Sequence, residues 1–282
     1  MGTEALIFDV DGTLADTEEA HRIAFNLAFE RYRLGWVWEA APYRELLKVT
    51  GGKERIGHHI DRLELGAAER RRLHTLVPDI HAEKTRHYSA FVADGAVPLR
   101  DGVERLLNEA REAGCRLAIA STTTAVNIDA LLAATLGPRG LDLFSVIACG
   151  DQVCAKKPAP DIYRLVLDNL GLGPECAIAL EDSAHGLAAA HAAGLWTLVT
   201  PTFWTAGDDF GAAGLVLPSL GSPEKPLQGE PGVALTDAAW LSFAELSRLA
   251  RPARPFARHG EDVSAVTEAL RAGAAEAPAG AR

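Results

Sequence analysis

Short apolar runs separated by stretches of helical length constrain this chain more than any other feature. Ala5 to Phe8 is such a run, bounded by polar residues, as expected of a strand buried on both faces. RLAIA at Arg116 to Ala120, FSVIA at Phe144 to Ala148, CAIAL at Cys176 to Leu180 and LWTLV at Leu195 to Val199 repeat the pattern. Between the runs lie segments such as residues 101–114, where Val103, Leu106, Leu107 and Ala110 share one helical stripe that stops at Gly114. Strand alternating with helix predicts an α/β fold with a doubly wound, parallel sheet. A chain of 282 residues with 48% hydrophobic content has enough apolar material for such a core.

One interval breaks the rhythm. From the end of the first run to residue 101 the chain is rich in Arg, Glu, Leu and His and shows helical patterns but no convincing strand. Phe25, Ala28, Phe29 and Tyr32 fall on one face of an amphipathic helix. The expected organisation is therefore a core of residues 1–15 and 94–250, with an inserted helical domain over 16–93. Pro218, Pro223, Pro226 and Pro231 alternate with Gly221, Gly229 and Gly232, which predicts a long loop to Thr236. Residues 251–282 turn Ala-, Arg- and Pro-rich and read as a weakly ordered tail, with one short helix around Val263 to Ala272.

The formal net charge of -10 argues against a protein that grips nucleic acid or anionic lipid over a broad face. No run approaches the ~18 apolar residues of a membrane helix, and Met1 to Thr3 lead straight into the first strand without a secretory signal. Cys115, Cys149, Cys154 and Cys176 form no C-x-x-C pair, so reduced thiols and a cytoplasmic location are expected. A monomer acting on a small molecule is the expectation, and an anionic ligand must find a local cationic pocket or a metal.

The chemistry gathers where the strands end. In an open α/β sheet the ligand lies beyond the carboxyl ends of the strands. The first run ends in Asp9-Val10-Asp11-Gly12-Thr13, the second in Ser121-Thr122-Thr123-Thr124 and the fourth in Glu181-Asp182-Ser183, with Lys156-Lys157-Pro158 following the third. Several carboxylates brought together ionise at little cost only beside a hard divalent cation, and magnesium (Mg2+) is the natural one. A lysine and hydroxyls suit the remaining oxygens of a phosphate. Asp9 and Asp11, two residues apart, divide the work: one carboxylate attacks phosphorus, and the other protonates the leaving oxygen if its pKa rises above the usual value of about 3.9.

Asp9-Val10-Asp11-Gly12-Thr13-Leu14, Ser121, Lys157-Pro158-Ala159-Pro160-Asp161 and Glu181-Asp182-Ser183 together resemble the four ordered motifs of the haloacid dehalogenase superfamily, in the branch with a helical cap inserted after the first motif. The resemblance implies Asp9 as nucleophile, Asp11 as general acid and base, and Ser121 and Lys157 as phosphate ligands, with Thr13 and Thr122 beside them. It implies magnesium held by the Asp9 side chain, the Asp11 carbonyl and Asp182, with Glu181 assisting. The inserted segment, through Asp16 to Arg22, Trp36 to Tyr43 and Thr50 to Arg55, is similar to the cap of CbbY-type sugar-phosphate phosphatases, whose substrate is xylulose-1,5-bisphosphate. On that likeness Glu18, His21, Tyr43, Gly51, Gly52, Lys53 and Arg55 are expected to contact substrate. β-Phosphoglucomutases carry an acid and a histidine near Glu18 and His21 too, so a mutase stays open.

Structural readings stand beside these. His21 lies four residues before Phe25 and suits packing; Glu18 and Arg22 are spaced for a helix-surface pair; Tyr43, Trp36 and Trp38 suit a core; Glu181 and Asp182 suit a helix cap. Lys53 and Arg55 follow the flexible Gly51-Gly52 and suit a second phosphate. A phospho-accepting regulatory domain also binds magnesium at strand ends, but such domains are compact and lack an insertion of this size.

Overall fold

The computed structural model describes residues 2–227 and 239–250. The tail from 251 on, its short helix and the part of the expected loop from 228 to 236 lie outside the described residues; from 218 to 227 the chain forms neither helix nor strand.

Strand β1 (Ala5–Phe8) leads into helices α1 (Glu18–Arg31), α2 (Ala40–Leu46), α3 (Gly52–Arg62) and α4 (Ala67–Ala93). The chain then alternates through α5 (Val103–Glu112), β2 (Arg116–Ala120), α6 (Ala125–Leu136), β3 (Phe144–Ala148), α7 (Asp161–Leu170), β4 (Ala177–Glu181), α8 (Ala184–Ala192) and β5 (Trp196–Val199). Strand β6 (Leu215–Val216) and α9 (Phe243–Ala250) complete the strands and α-helices of the described residues. The six strands form one parallel sheet in the order β3-β2-β1-β4-β5-β6. The doubly wound sheet with a helical insertion after β1 is the architecture expected from sequence.

Alternation along β1 shows why two layers of helices are needed. Leu6 and Phe8 pack with Val103, Leu106 and Leu107 of α5 and Ile128, Leu131 and Leu132 of α6. Ala5 and Ile7 face the other way, against Ile162, Tyr163 and Val166 of α7 and Ala189 and Ala190 of α8. Because both faces are covered, the strands carry unbroken apolar runs rather than alternating ones. Cys176 belongs to a short turn rather than to β4, which ends instead on Glu181, and the two-residue β6 was too short to leave a pattern in the sequence.

The inserted helices have their own core. Phe25, Ala28 and Phe29 of α1 pack with Trp38, Tyr43, Leu46, Ile56, Ile60, Leu73, Val77 and Ile80, while Tyr32 lies just past the end of α1 and is half-buried against the cluster. Trp204, from the segment after β5, is buried in the same cluster. The two chain connections to the insertion run side by side: Ala15 pairs antiparallel with Leu99, and Arg100 N donates to Leu14 O at 2.9 Å. Among the described residues no helix is long and apolar enough to cross a membrane.

Candidate active site

The order of the sheet reverses at β1, with β2 on one side and β4 on the other, and this places three strand ends around one crevice. Asp9 and Asp11 follow β1, Ser121 and Thr122 follow β2, and Glu181 and Asp182 lie at the end of β4. Over them, against the helical insertion, opens a cleft of about 470 Å³, an ordinary size for a small-molecule site. Asp9, Asp11, Glu18, His21, Gly51, Gly52, Lys53, Arg55, Thr122, Lys157 and Asp182 line it. Thr13, Tyr43, Ser121 and Glu181 are buried behind that lining.

Lys157 is the centre of charge in the floor. Its Nζ donates to Asp9 Oδ1 at 2.7 Å and to Glu181 Oε1 at 2.6 Å, and Tyr163 donates its hydroxyl to the same Glu181 oxygen. Burial opposes its charge, but Asp9 and Glu181 outweigh that and hold the ammonium above the usual lysine range. One cation is too few for the anions present. Asp9, Glu181 and Asp182 offer carboxylate oxygens within 4.8 Å of one another, all buried. Burial pushes Asp9 up to about 7, with Glu181 and Asp11 adding to the shift and Lys157 opposing it. Burial, then Asp9 and Glu181, likewise push Asp182 well above the usual carboxylate range.

The backbone is shaped to bring these acids together. Gly12 has φ +86, and a Cβ there would lie 2.2 Å from Asp182 Oδ2, so only glycine lets the β1 loop pass the acid of β4. The Gly12 carbonyl is held by the half-buried Arg100 guanidinium, which also donates to Thr200 O at 2.6 Å and Pro201 O at 2.9 Å. Ser183, not Glu181 or Asp182, caps α8 through Gly186 N, and the cap residue of α6 is Thr124 rather than Ser121. Both acids of β4 are thus left for other work.

Asp11 is set differently from the sequence expectation. A general acid needs a raised pKa; here burial pushes that way, but His21, Thr17 and Lys84 outweigh it and hold the carboxyl below the usual range. Thr17 donates to Asp11 Oδ1 at 2.6 Å, and His21 Nε2 lies 2.9 Å from the same atom. Behind His21, Lys84 Nζ lies 2.6 Å from Nδ1. His21 also stacks on Tyr88 with ring centroids 4.1 Å apart, so it serves packing and polar contact at once. Burial pulls Lys84 down to about 8, against Asp11 and Glu18. Activity that depends on this cation declines above about pH 8. A Lys84→Met variant is expected to lose that alkaline limb from its pH profile of kcat/KM, and an unchanged limb contradicts the assignment.

On the opposite wall, Tyr43 does not reach the cleft. Its hydroxyl donates to Glu18 Oε2 at 2.9 Å and accepts from Arg55 Nη1 at 2.9 Å, so it fixes two residues that do. Arg22 pairs with Glu19 at 2.6 Å, not with Glu18, which leaves Glu18 facing the site. Sequence reasoning missed Lys84, Thr17, Arg100, His81 and Trp204. Trp204 packs edge-on against Tyr43 at 5.6 Å, while its neighbour Thr205 donates to Asp182 Oδ2 at 3.4 Å.

Buried acids and a lysine at the switch point of a parallel sheet, beneath a helical insertion, define a hydrolase site, and residues 3–194 match the family model of haloacid dehalogenase-like hydrolases. The chain belongs to that family and is an enzyme of its phosphatase type. Within the family it is a close homologue of the CbbY proteins. It is 51% identical over 244 residues to the plasmid-encoded CbbY of Cupriavidus necator, across 86% of this chain and 95% of that protein. A crystal structure of CbbY from Rhodobacter sphaeroides in complex with phosphate superposes with a TM-score of 0.71 at 46% identity, covering 78% of this chain and 95% of that one. A variant of the same protein in complex with xylulose-1,5-bisphosphate gives 0.72 over the same shares.

Proposed function

We propose that this enzyme hydrolyses a small sugar bisphosphate, xylulose-1,5-bisphosphate, through a phosphoryl group carried on Asp9, with magnesium at Asp9, Asp182, Glu181 and the Asp11 carbonyl. The observation that carries the reading is a cleft lined by acids from the core and by cations from the insertion. The nucleophile lies among acids on the core side, and Arg44, Lys48, Lys53 and Arg55 of the insertion line the same cleft with Lys156, the lysines beside Glu45, Asp151 and Glu54, so one substrate bearing two phosphates matches both sides. Similarity to a protein crystallised with that bisphosphate supports the choice of sugar. The insertion, residues 16–93, serves as the cap that covers the core of 1–15 and 94–250 and keeps water from the reacting centre.

The acid cluster suits a hard divalent cation because three buried carboxylates share one lysine. Magnesium, when bound, neutralises those carboxylates and the phosphoryl oxygens. The chain's own residues do the rest. Lys157 holds the Asp9 carboxylate, which attacks phosphorus while the sugar oxygen departs with a proton from Asp11. The arriving phosphate is a like charge beside Asp11 and raises its proton affinity, which reverses the bias of the empty site. Water then attacks the phosphorus of the Asp9 ester, gives its proton to Asp11 and frees phosphate and the Asp9 carboxylate. Ser121, Thr13 and Thr122 are assigned to the transferred phosphate, and Glu18 and His21 to the sugar side.

Phosphate release across a panel of sugar mono- and bisphosphates, with magnesium and with chelator, tests the reading. Selective, metal-dependent release from the bisphosphate is expected. Interconversion of monophosphates without net release contradicts it. The raised Asp9 and Asp182 also predict that metal displaces protons: the empty site gains negative charge as pH rises through about 7, so magnesium affinity increases from pH 6 to pH 8. Calorimetry in two buffers of different ionisation heat is expected to show that proton release, and equal heats contradict it.

A further inference from the structure

The cap wall of the cleft holds a polar side chain with no part in the chemistry at Asp9. His81, on α4, lines the cleft, is only 7% exposed and has no hydrogen bond to any described residue. An imidazole on a cleft wall with no protein partner has its hydrogen-bonding capacity free for a ligand. The ring is pressed against the start of α3: a Cβ on Gly52 would lie 2.5 Å from His81 Nε2. Gly52 opens that helix, and its first helical hydrogen bond runs from Arg55 N to Gly51 O, so the N–H groups of Gly52, Lys53 and Glu54 precede the ladder. A helix N-terminus with free N–H groups attracts anions.

Charge around the ring agrees. Lys53 and Lys156 line the same cleft and Lys84 lies one turn along α4. Two of these have carboxylate neighbours: Lys156 Nζ is 2.6 Å from Glu54 Oε1, and Lys53 Nζ is 3.6 Å from Asp151 Oδ1. Burial, then Lys84, Lys53, His21 and Lys156, push His81 down to about 3, so it is neutral and offers one N–H donor.

We propose that His81 is a specificity-determining ligand of the substrate's non-transferred phosphate, donating its ring N–H to an oxygen seated at the N-terminus of α3 beside Lys53 and Lys156. The inference rests on the bisphosphate reading above. Gly52 is then required for space: any side chain there displaces the imidazole from the seat.

The test compares kcat/KM for xylulose-1,5-bisphosphate with that for the two corresponding monophosphates in wild type, His81→Leu, His81→Gln and Gly52→Ala. In His81→Leu the preference for the bisphosphate is expected to fall on the order of tenfold, chiefly through KM, with a partial return in His81→Gln, which keeps a donor. Gly52→Ala, with every donor and cation retained, is expected to lower the same preference and carries the test if the leucine variant fails to fold. A purely structural role lowers turnover of all three substrates alike, and that result, or a preference within about twofold of wild type, overturns the inference. A wild type that shows no preference for the bisphosphate overturns the substrate reading and this inference with it.

Discussion

Asp9→Asn is expected to bind the sugar bisphosphate and to turn it over at least about 10⁴-fold more slowly than the native enzyme. Asparagine has the shape of aspartate but not its nucleophilic oxygen. The residue is buried at the end of β1, where its main-chain N–H donates to Leu180 O at 3.0 Å, so the substitution leaves the strand pairing intact. Lys157 keeps Glu181 as a partner at 2.6 Å and stays in place. The cationic cap wall is untouched, which is why binding survives. Steady-state rates with equilibrium binding of the same substrate measure both halves. Turnover within about tenfold of wild type removes Asp9 from the chemistry.

Lys157→Met has the second large effect, and it reaches stability as well as rate. The ammonium is almost fully buried and is the one side-chain ion-pair partner that the described residues give to Asp9 and Glu181. Its removal leaves buried carboxylates facing one another, a situation that costs about 3–5 kcal/mol. At about 2–4 °C per kcal/mol in a protein of this size, the metal-free variant is expected to unfold on the order of 10 °C below wild type. Magnesium held by these acids, as proposed, would neutralise part of the surplus charge, so saturating metal is expected to narrow the gap. Calorimetry with and without magnesium checks this: an equal loss in both conditions separates Lys157 from the acid cluster.

The core and the gathering of acids at the strand ends are legible in the sequence because they are local. Each of the first five strands is a short apolar run, and the acids end one or follow it within three residues, which places Asp9, Asp11, Glu181 and Asp182 at one end of a sheet. Lys157 lay in a distinct Pro-rich turn. What escaped was set by packing between distant segments. Lys84 shares a helical stripe with Val77, Ile80, His81 and Tyr88, and a lysine in such an apolar stripe was the one available sign that it is buried beside His21. Trp204 had no comparable signal: it joins the aromatic cluster of the insertion from a loop more than a hundred residues further along the chain. The direction in which the Asp11 pKa moves is not legible in the sequence for the same reason, since it depends on His21 and Lys84, which the sequence separates by 63 positions. Tyr43 lies one layer behind the cleft lining, holding Glu18 and Arg55, and its spacing in the sequence cannot distinguish a wall residue from the one that holds the wall.

The central claim is that the phosphoryl group passes to Asp9 and from there to water. A single turnover with phosphate-labelled xylulose-1,5-bisphosphate, quenched in acid at millisecond intervals and followed by peptide mapping, tests it most directly. Label is expected on the peptide containing Asp9 first, decaying at the rate at which inorganic phosphate appears. Phosphate that appears without label ever residing on Asp9, or label that returns to a sugar instead of reaching water, contradicts the account.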